Sequence, residues 1–376
     1  MPNTFLTPDI IAREALMILQ SNTVMAGLVY RDYEGEFGPA KVGDTITIRK
    51  PASFEAKEFE GEIELQDANE KGVTLTLEKH LDVSVPVSSK EWTLELDDFS
   101  TRIVAPAMVA INEKVDNYLC GLYPQFNQVS GTAGTMPSTL AALADLDKAM
   151  NEARVPISGR RVVVNPSTKA AMFSIDAVAR ADARGDEGTA LREASMGRIM
   201  GMDWYMDQNI KSHTAGTASA ATTLAVNGAV AAGATTLAAD GGTAAQTLKV
   251  GDVFSVAGAV GTYTVTEDAT ASSGAFSAVK FSPAAPVGGF ADDAVITVRG
   301  SHVANLAFVK EAIALAAVPL EMPRGAGGNA AYVSMNGLGI RVVYGYDIKS
   351  KKDTISFDLL VGAKVIDPRL GVRWMA

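Results

Sequence analysis

Histidine and cysteine, which often serve as nucleophiles, bases or metal ligands, are scarce in this sequence, whereas carboxylates are plentiful but cluster in residues 54–72. Its three histidines are His80, His213 and His302, and its one cysteine is Cys120. His213 and His302 flank the segment 214–298, a placement that allows them to approach each other in space. Two histidines without a third ligand do not predict a metal site, because catalytic zinc takes three protein ligands and structural zinc takes four. Cys120 is interpreted as a small core residue rather than a nucleophile.

Motifs that bind phosphates or build a nucleophile are absent from the sequence, including Gly-x-x-x-x-Gly-Lys, Gly-x-Gly-x-x-Gly and Gly-x-Ser-x-Gly. The stretch 325–328 is glycine-rich but lacks the following helix and lysine, which indicates a flexible loop. Arg184-Gly185-Asp186 is short enough to occur by chance, and Asp182, Asp186 and Glu187 lack the alternate spacing of a calcium loop. The sequence therefore predicts no catalytic residue, no metal and no cofactor, and favours a structural or binding role over an enzyme.

The composition bounds the class of protein. The chain has 376 residues, 47% of them hydrophobic and 20% charged, which is globular and long enough for two domains. A net charge of −10 argues against a dedicated nucleic-acid binder, which would show a basic face. One cysteine allows no internal disulfide, no apolar run is long enough to predict a membrane span, and no signal peptide is recognised. We therefore expect a protein made in a reducing cytoplasm.

The longest regular element predicted is a helix over residues 96–123. Apolar residues recur there at steps of three and four, and Asp97 and Asp98 favour its start. Pro106 lies inside the pattern, where a proline bends or breaks a helix. Two interpretations follow: the helix begins near Pro106 after a separate turn, or it is one long bent rod. The second is preferred.

Upstream of this helix, the sequence predicts an amphipathic helix over residues 7–26 and strands over 42–50, 73–77 and 81–87. The first helix packs either on its own domain or, as an arm, on a neighbouring subunit; the pattern leaves both open. Residues 54–72 are rich in carboxylates and poor in core residues. They form either a solvated loop or a long two-stranded flap that reaches a partner. The candidate contacts of such a flap are Glu58, Glu60, Glu62, Glu64 and Asp67.

Downstream, helices capped by Ser138 and Ser167 flank a buried strand at 161–164, and residues 176–192 are predicted to be a loop. Residues 214–298 are rich in alanine, glycine and threonine and poor in charge. Their short strands, separated by turn residues, predict a small β-barrel or sandwich inserted into another domain. The six strands are expected at 222–226, 235–238, 253–256, 262–266, 278–281 and 295–298. Helical and mixed sequence is expected to resume at His302, and residues 338–361 alternate as a β-hairpin.

Two stretches carry a family resemblance. They are Asn305-Leu-Ala-Phe-Val-Lys-Glu-Ala-Ile-Ala-Leu-Ala and the ending that runs from Asp358-Leu-Leu-Val-Gly-Ala-Lys-Val to Arg373. With the order of elements, they make the chain resemble the major capsid (coat) proteins of tailed double-stranded DNA bacteriophages, and more narrowly short-tailed-phage coat proteins with an insertion domain. Residues 248–258 look like part of that insertion.

The resemblance implies an α+β, Hong Kong 97-like fold with an N-terminal arm, an extended flap, a long spine helix and an inserted β-barrel. The implied domains are an arm (1–30), a flap region (31–80), a peripheral domain with the spine helix (81–155), the first part of an axial domain (156–213), the barrel (214–299), and the remainder with a C-terminal hairpin (300–376).

The function that the resemblance implies is that of a structural subunit that self-assembles into an icosahedral shell around phage DNA. Its implied partners are further copies in hexamers and pentamers, a scaffolding protein, a portal protein and packaged DNA; no membrane is implied. The acidic charge predicts that contact with DNA is weak and non-specific. The expected location is the virion capsid, with host cytoplasm during assembly. The alternatives are the shell of a bacterial nanocompartment, whose chains are usually shorter, and an enzyme with a β-accessory domain.

Overall fold

The computed structural model describes residues 8–22, 24–32, 45–49, 72–88, 103–180, 192–318, 320–323, 330–335, 338–348 and 352–376. By their contacts, the residues of the chain fall into two units. The first contains residues 1–22, 30–114 and 313–366, and the second contains residues 23–29, 115–312 and 367–376. No helix within the described residues is long and apolar enough to cross a membrane.

The first unit is built on a five-stranded antiparallel sheet. Its strands are β3 (Lys79–Ser88), β18 (Ile313–Val318), β19 (Ala330–Met335), β20 (Leu338–Asp347) and β21 (Lys352–Val365). β20 and β21 form the hairpin that the alternating pattern predicts. β3 pairs with β21 along its whole length, from Lys79 opposite Val361 to Ser88 opposite Lys352. Helix α1 (Pro8–Asn22) packs on β19 and β20 with its apolar stripe, of which Ala12, Ala15 and Leu16 are buried.

A second, two-stranded sheet in this unit joins β1 (Thr45–Arg49) to β2 (Gly72–Thr76). Ile48 and Leu75 from these strands pack against Ala314 and Ala316 of β18. Residues 50–71, which connect the two strands, include all five flap candidates, Glu58 to Asp67. Those candidates lie outside the described residues, so the flap interpretation stays a prediction.

Helix α3 (Ala105–Cys120) is the described part of the predicted long helix. Pro106 is the second residue of this range. Ile103 and Val104 precede it in π-helical conformation. Residues 96–102 are outside the described residues, so the choice between a bent rod and a separate turn stays open. Cys120 is 1% exposed and lies in the core, as its interpretation predicted.

The second unit contains a seven-stranded mixed sheet. Its members are β4 (Val129–Ser130), β5 (Arg161–Val164), β6 (Arg198–Ile199), β7 (Met202–Met206), β8 (Ser212–His213), β17 (His302–Phe308) and β22 (Gly371–Met375). β17 is central, with β22 on one side and β5 on the other, both antiparallel to it. β5 pairs in parallel with β7, and β22 pairs in parallel with β4.

Within its described residues, this unit has four helices of its own: α2 (Met25–Leu28), α4 (Leu140–Glu152), α5 (Pro166–Met172) and α6 (Asp176–Ala179). α4 contributes Leu143, Leu146 and Met150 to a buried cluster with the sheet. Trp204 and Trp374 meet in that cluster edge to face, with ring centroids 5.5 Å apart. Such aromatic pairs add about 0.5–1.5 kcal/mol beyond the area they bury.

Residues 214–298 form a barrel within this unit. Six strands pair in the order β16 (Ile296–Val298), β12 (Val253–Val256), β13 (Tyr263–Val265), β15 (Phe276–Ser282), β10 (Thr236–Asp240) and β9 (Ala225–Val226). A bridge between Ala225 and Val295 joins the two ends of this order and closes the sheet. A small extra sheet pairs β11 (Thr247–Leu248) with β14 (Ala269–Thr270). All six predicted strands are present, and β11 and β14, each two residues long, were not predicted.

The barrel has a hydrophobic core of its own. The rings of Phe254, Tyr263, Phe281 and Phe290 pack together with centroids 5.0–5.9 Å apart. These rings belong to a cluster whose members all come from residues 218–298, while the core under α4 is a separate cluster.

Several local expectations were wrong. Thr139 caps α4 through the backbone N–H of Ala142, and Asn165 caps α5 through that of Thr168; Ser138 and Ser167 were the predicted caps. Pro166 explains the second shift, because proline favours the first helical position and moves the cap to the residue before it. The predicted loop 176–192 begins with the short helix α6. After His302 the chain is extended rather than helical: β17 and β18 are each buried on both faces, which removes alternation from the pattern.

Candidate functional site: a buried polar joint

Arg373 on β22 is the centre of a buried polar cluster that attaches the barrel to the mixed sheet. Its side chain is fully buried. Nη1 donates to the carbonyl oxygen of Gly251 at 2.7 Å, and Nη2 donates to those of Tyr123 and Phe126 at 2.8 and 3.1 Å. The guanidinium also stands over the Tyr123 ring, 5.0 Å from its centroid. Burial lowers the pKa of Arg373 to about 10, so it remains charged at neutral pH.

Tyr123, His213 and Asp252 form a hydrogen-bonded chain beside this arginine. The His213 Nε2–Asp252 Oδ1 distance is 2.8 Å, and the Tyr123 hydroxyl lies 2.9 Å from His213 Nδ1. A carboxylate oxygen accepts, so His213 Nε2 carries a hydrogen toward Asp252. Asp252 is fully buried, and it also accepts from the backbone N–H groups of Lys249 and Gly216.

His302 completes the cluster from the first residue of β17. Its ring is 5.2 Å from that of His213 by centroids, so the two histidines do approach each other, as their placement in the sequence allows. The barrel turn fits closely here: a Cβ on Gly251 would lie 3.2 Å from both His213 Cε1 and Pro124 Cβ, and its φ of +94° favours glycine. A side chain at 251 would therefore strain the backbone and would require His213 or Pro124 to shift by a few tenths of an ångström.

The joint does not have the features of an active site. Its hydroxyl, imidazole and carboxylate match the types of a catalytic triad, but a nucleophile must be activated and must face substrate. Burial raises the pKa of the Tyr123 hydroxyl, which keeps it protonated. A cleft of about 500 Å³ lies nearby and is lined by Asn127, Gln128, Glu152, Tyr263 and Pro286 among others, but by neither Tyr123 nor His213. The cluster is therefore suited to fastening two parts of the unit together.

Asn305 fastens the mixed sheet to helix α5. It is fully buried on β17; Oδ1 accepts from the backbone N–H of Asn165, and Nδ2 donates to Thr168 Oγ1. Asn305 and Arg373 belong to the two stretches that carry the family resemblance. Both stretches therefore contain a buried polar side chain whose hydrogen bonds hold separate elements in place.

A further buried carboxylate, Asp116 on α3, holds the short segment that contains α2. Its Oδ2 accepts from the backbone N–H of Val24 at 3.0 Å, and Oδ1 accepts from that of Ala26 at 3.2 Å. Arg161 donates to the carbonyl oxygen of Leu28 at the other end of this segment. Burial raises the pKa of Asp116 to about 6, and the nearby charge of Asp207 adds to the increase.

The remaining histidine lies in the first unit, in a row of charged groups across three strands. Asp358 on β21 accepts from Nε and Nη2 of Arg341 at 3.1 and 2.6 Å. His80 Nε2 is 3.3 Å from the other oxygen of the same carboxylate, and the side chain of His80 is about half exposed. Asp82 lies directly opposite Asp358. Burial raises the pKa of Asp82, but hydrogen bonds from Ser356 and Ser84 are among the effects that outweigh burial, so the pKa of Asp82 is lowered.

The histidines and loop motifs that the sequence analysis considered lie in different parts of the structure. It brings His213 and His302 together, and it puts His80 in a separate sheet. The segments 181–191 and 324–329, with the Arg-Gly-Asp tripeptide and the glycine-rich stretch, are outside the described residues. Sequence reasoning missed Tyr123, Asp252 and Arg373. A charged residue among apolar neighbours was the one available signal, in Gly371-Val-Arg-Trp374 and Val250-Gly-Asp-Val253.

No protein-family model and no curated protein matches the sequence. Solved structures do resemble it. A chain from the structure of Mycobacterium phage Che8 matches with a TM-score of 0.55 and 16% identity over 94% of this chain and 91% of that one. The capsid structure of the cyanophage P-SCSP1u matches with a TM-score of 0.48 and 12% identity over 100% and 90% of the two chains. A chain of the bacteriophage PhiM1 mature capsid matches at 0.47 and 10%, over 89% and 82%.

The likeness to the Che8 chain shows a shared fold over nearly the whole length of both proteins. The fold class implied by the two resembling stretches is confirmed: a mixed helix-and-sheet chain of the Hong Kong 97-like type.

Proposed function

We propose that this chain is the major capsid protein of a tailed bacteriophage, a structural subunit that assembles with further copies of itself into a closed shell around double-stranded DNA. The observation that carries the proposal is the fold, shared over 94% of the chain with a structure from a mycobacterial phage. The order of elements in the sequence supports the same assignment independently.

The chemistry of the described residues is consistent with a structural role. Two buried charged groups of the second unit have several protein partners each: Arg373 donates to three backbone carbonyls through Nη1 and Nη2, and Asp252 accepts from a histidine and two backbone amides. Buried polar groups satisfied in this way favour one rigid arrangement over many. A shell needs such subunits, because each small error in subunit shape is repeated at every position.

The flap is proposed as an intersubunit contact in this shell. Residues 54–72 carry seven carboxylates and two lysines, a composition that cannot form a core of its own. Each contact from exposed ion pairs is worth about 1 kcal/mol or less, but closure of a shell repeats it in every subunit. Scaffolding and portal proteins are proposed as partners, the virion capsid as location and the host cytoplasm as the place of assembly.

The test is assembly of the purified chain, expressed with a scaffolding partner and examined by negative-stain microscopy and sedimentation. We expect closed shells tens of nanometres wide. A variant with lysine at Glu58, Glu60, Glu62 and Glu64 should keep the melting temperature of the monomer and lose normal assembly. Glutamine at the same four positions is the matched control and should be affected less. A chain that stays monomeric under every salt and scaffold condition would overturn the proposal. Normal shells from the lysine variant would show that the flap is not an intersubunit contact.

A further inference from the structure

Two buried atoms of the joint have no hydrogen-bond partner among the described residues: Nε2 on the ring of His302 and Nε of Arg373. The Nδ1 of His302 lies 2.8 Å from the carbonyl oxygen of Gly300. A carbonyl only accepts, so Nδ1 carries the hydrogen and Nε2 presents a lone pair. Among the described residues Nε2 is buried and has no hydrogen-bond partner, and the whole side chain is 3% exposed. A proton added to this neutral ring must therefore go to Nε2, where no acceptor meets it.

The groups that face this ring come from four other elements. Arg373 of β22 and His213 of β8 oppose a positive charge on it, whereas Asp252, in the turn before β12, favours one. Tyr123, in the 3-10 turn after α3, is held against His213 and Arg373. Asp252 is already used by His213 and two backbone amides, so it is not free to pair with a second cation. Burial first, and then Arg373 and His213, lower the pKa of His302 to about 4.

The joint can open without exposing a hydrophobic core. Most buried apolar side chains of the barrel form one cluster within residues 218–298, and those of the mixed sheet form a separate cluster with α4 and α5; Val253 of β12 is fully buried and belongs to neither. The contacts described between the two are largely polar: those of Arg373 and His213, and the bond from Thr262 Oγ1 to the carbonyl oxygen of Asn127. Breaking these bonds exposes groups that water can solvate, so the cost of separation is far below that of unfolding either part.

We propose that this joint is a proton-operated hinge, in which protonation of His302 at Nε2 detaches the barrel of residues 214–298 from the mixed sheet while both remain folded. The proton comes from solvent and returns to it, so the movement is reversible. The inference concerns the single subunit, and it holds or fails independently of the shell function.

The direction of the pH dependence follows from linkage. The pKa of His302 is lower in the closed joint, about 4, than in an exposed histidine, near 6.5. The contribution of this residue to closure is therefore complete above about pH 6.5 and is lost as the pH falls toward 4. Between those limits the ratio of open to closed joint rises by up to about tenfold for each pH unit.

The test is hydrogen exchange of the full-length chain, measured by mass spectrometry from pH 4.5 to 7.5 with exchange times scaled to the intrinsic rate. From pH 6.5 to 4.5, peptides covering residues 249–252 and 302–304 should lose up to about a hundredfold in protection, since two pH units each contribute up to tenfold. Strands β15 and β5 should keep their protection over the same range. His302→Asn, which cannot be protonated, should abolish the pH dependence at the joint. His80→Asn, in the other unit, is the matched control and should leave it unchanged.

Three results would overturn the proposal. One is pH-dependent exchange that persists in His302→Asn. Another is loss of protection in β15 together with the joint, because this would mean unfolding rather than hinge opening. The third needs no substitution of His302: the chain has three histidines, so their Cε1–H resonances can be titrated in the wild type, with His80→Asn and His213→Asn used only to assign two of them. A His302 resonance that titrates near pH 6.5 would remove the basis of the hinge even if His302→Asn fails to fold.

Discussion

Replacing Arg373 by methionine tests whether the buried joint stabilises the second unit. The substitution keeps much of the side-chain volume and removes three hydrogen bonds from a cation to backbone carbonyls. Bonds to a charged group contribute about 1.5–3 kcal/mol each, and losing them leaves the carbonyls of Gly251, Tyr123 and Phe126 without these donors.

An opposing effect is the removal of a buried charge. The pKa of Arg373 falls from 12.5 to about 10, which at 1.36 kcal/mol per unit corresponds to about 3 kcal/mol of unfavourable burial. The lost hydrogen bonds exceed this gain, so we expect a net loss of about 2–5 kcal/mol in the free energy that keeps the joint closed. At neutral pH this corresponds to a fall in hydrogen-exchange protection at residues 249–252 of about thirtyfold or more.

The matched control is Arg369→Met, four residues away in the same terminal segment. Arg369 is 73% exposed and pairs with Asp367 at the surface. Exposed ion pairs contribute about 0–1 kcal/mol, so this variant should be nearly as stable as the wild type. Urea unfolding and hydrogen exchange on both variants provide the measurement. If Arg373→Met and Arg369→Met differ by less than about 0.5 kcal/mol, the energetic importance assigned to the joint is refuted.

Two further predictions follow from the same unit. Asp116 has a pKa raised to about 6 in the folded chain against an ordinary value of 3.8, so its contribution to stability is present below about pH 4 and is lost as the pH rises to 6. We therefore expect the free energy of unfolding in urea to fall between pH 4 and pH 7 in the wild type, and to fall by up to about 3 kcal/mol less in Asp116→Asn. Parallel curves of unfolding free energy against pH for the two proteins would contradict this. The barrel of residues 214–298 should fold as an isolated fragment with dispersed amide resonances and a cooperative melt, because its core lies within that segment; a random-coil spectrum would show instead that it depends on the rest of the chain.

The sequence by itself determined most of the strands and the broad class of the fold. Strand β12 at Val253–Val256 follows from a short apolar run between turn residues, and the hairpin β20–β21 follows from alternation; both are properties of a few consecutive positions. The six barrel strands were predicted for the same reason, and the burial of Cys120 follows from its residue type. The order of these elements, with the two resembling stretches, indicated the fold class.

The tertiary structure alone decided which polar residues meet. Tyr123, His213, Asp252 and Arg373 are separated by 39 to 250 positions, and their burial together depends on where the barrel is attached to β17 and β22. The same holds for β17 and β18: an apolar run is compatible with helix or strand, and the neighbours β5, β21 and β22 decide between them. Local patterns fix the period of a segment, but the free energy of a buried charge depends on the groups that surround it in space. That is why the strands could be predicted and the joint could not.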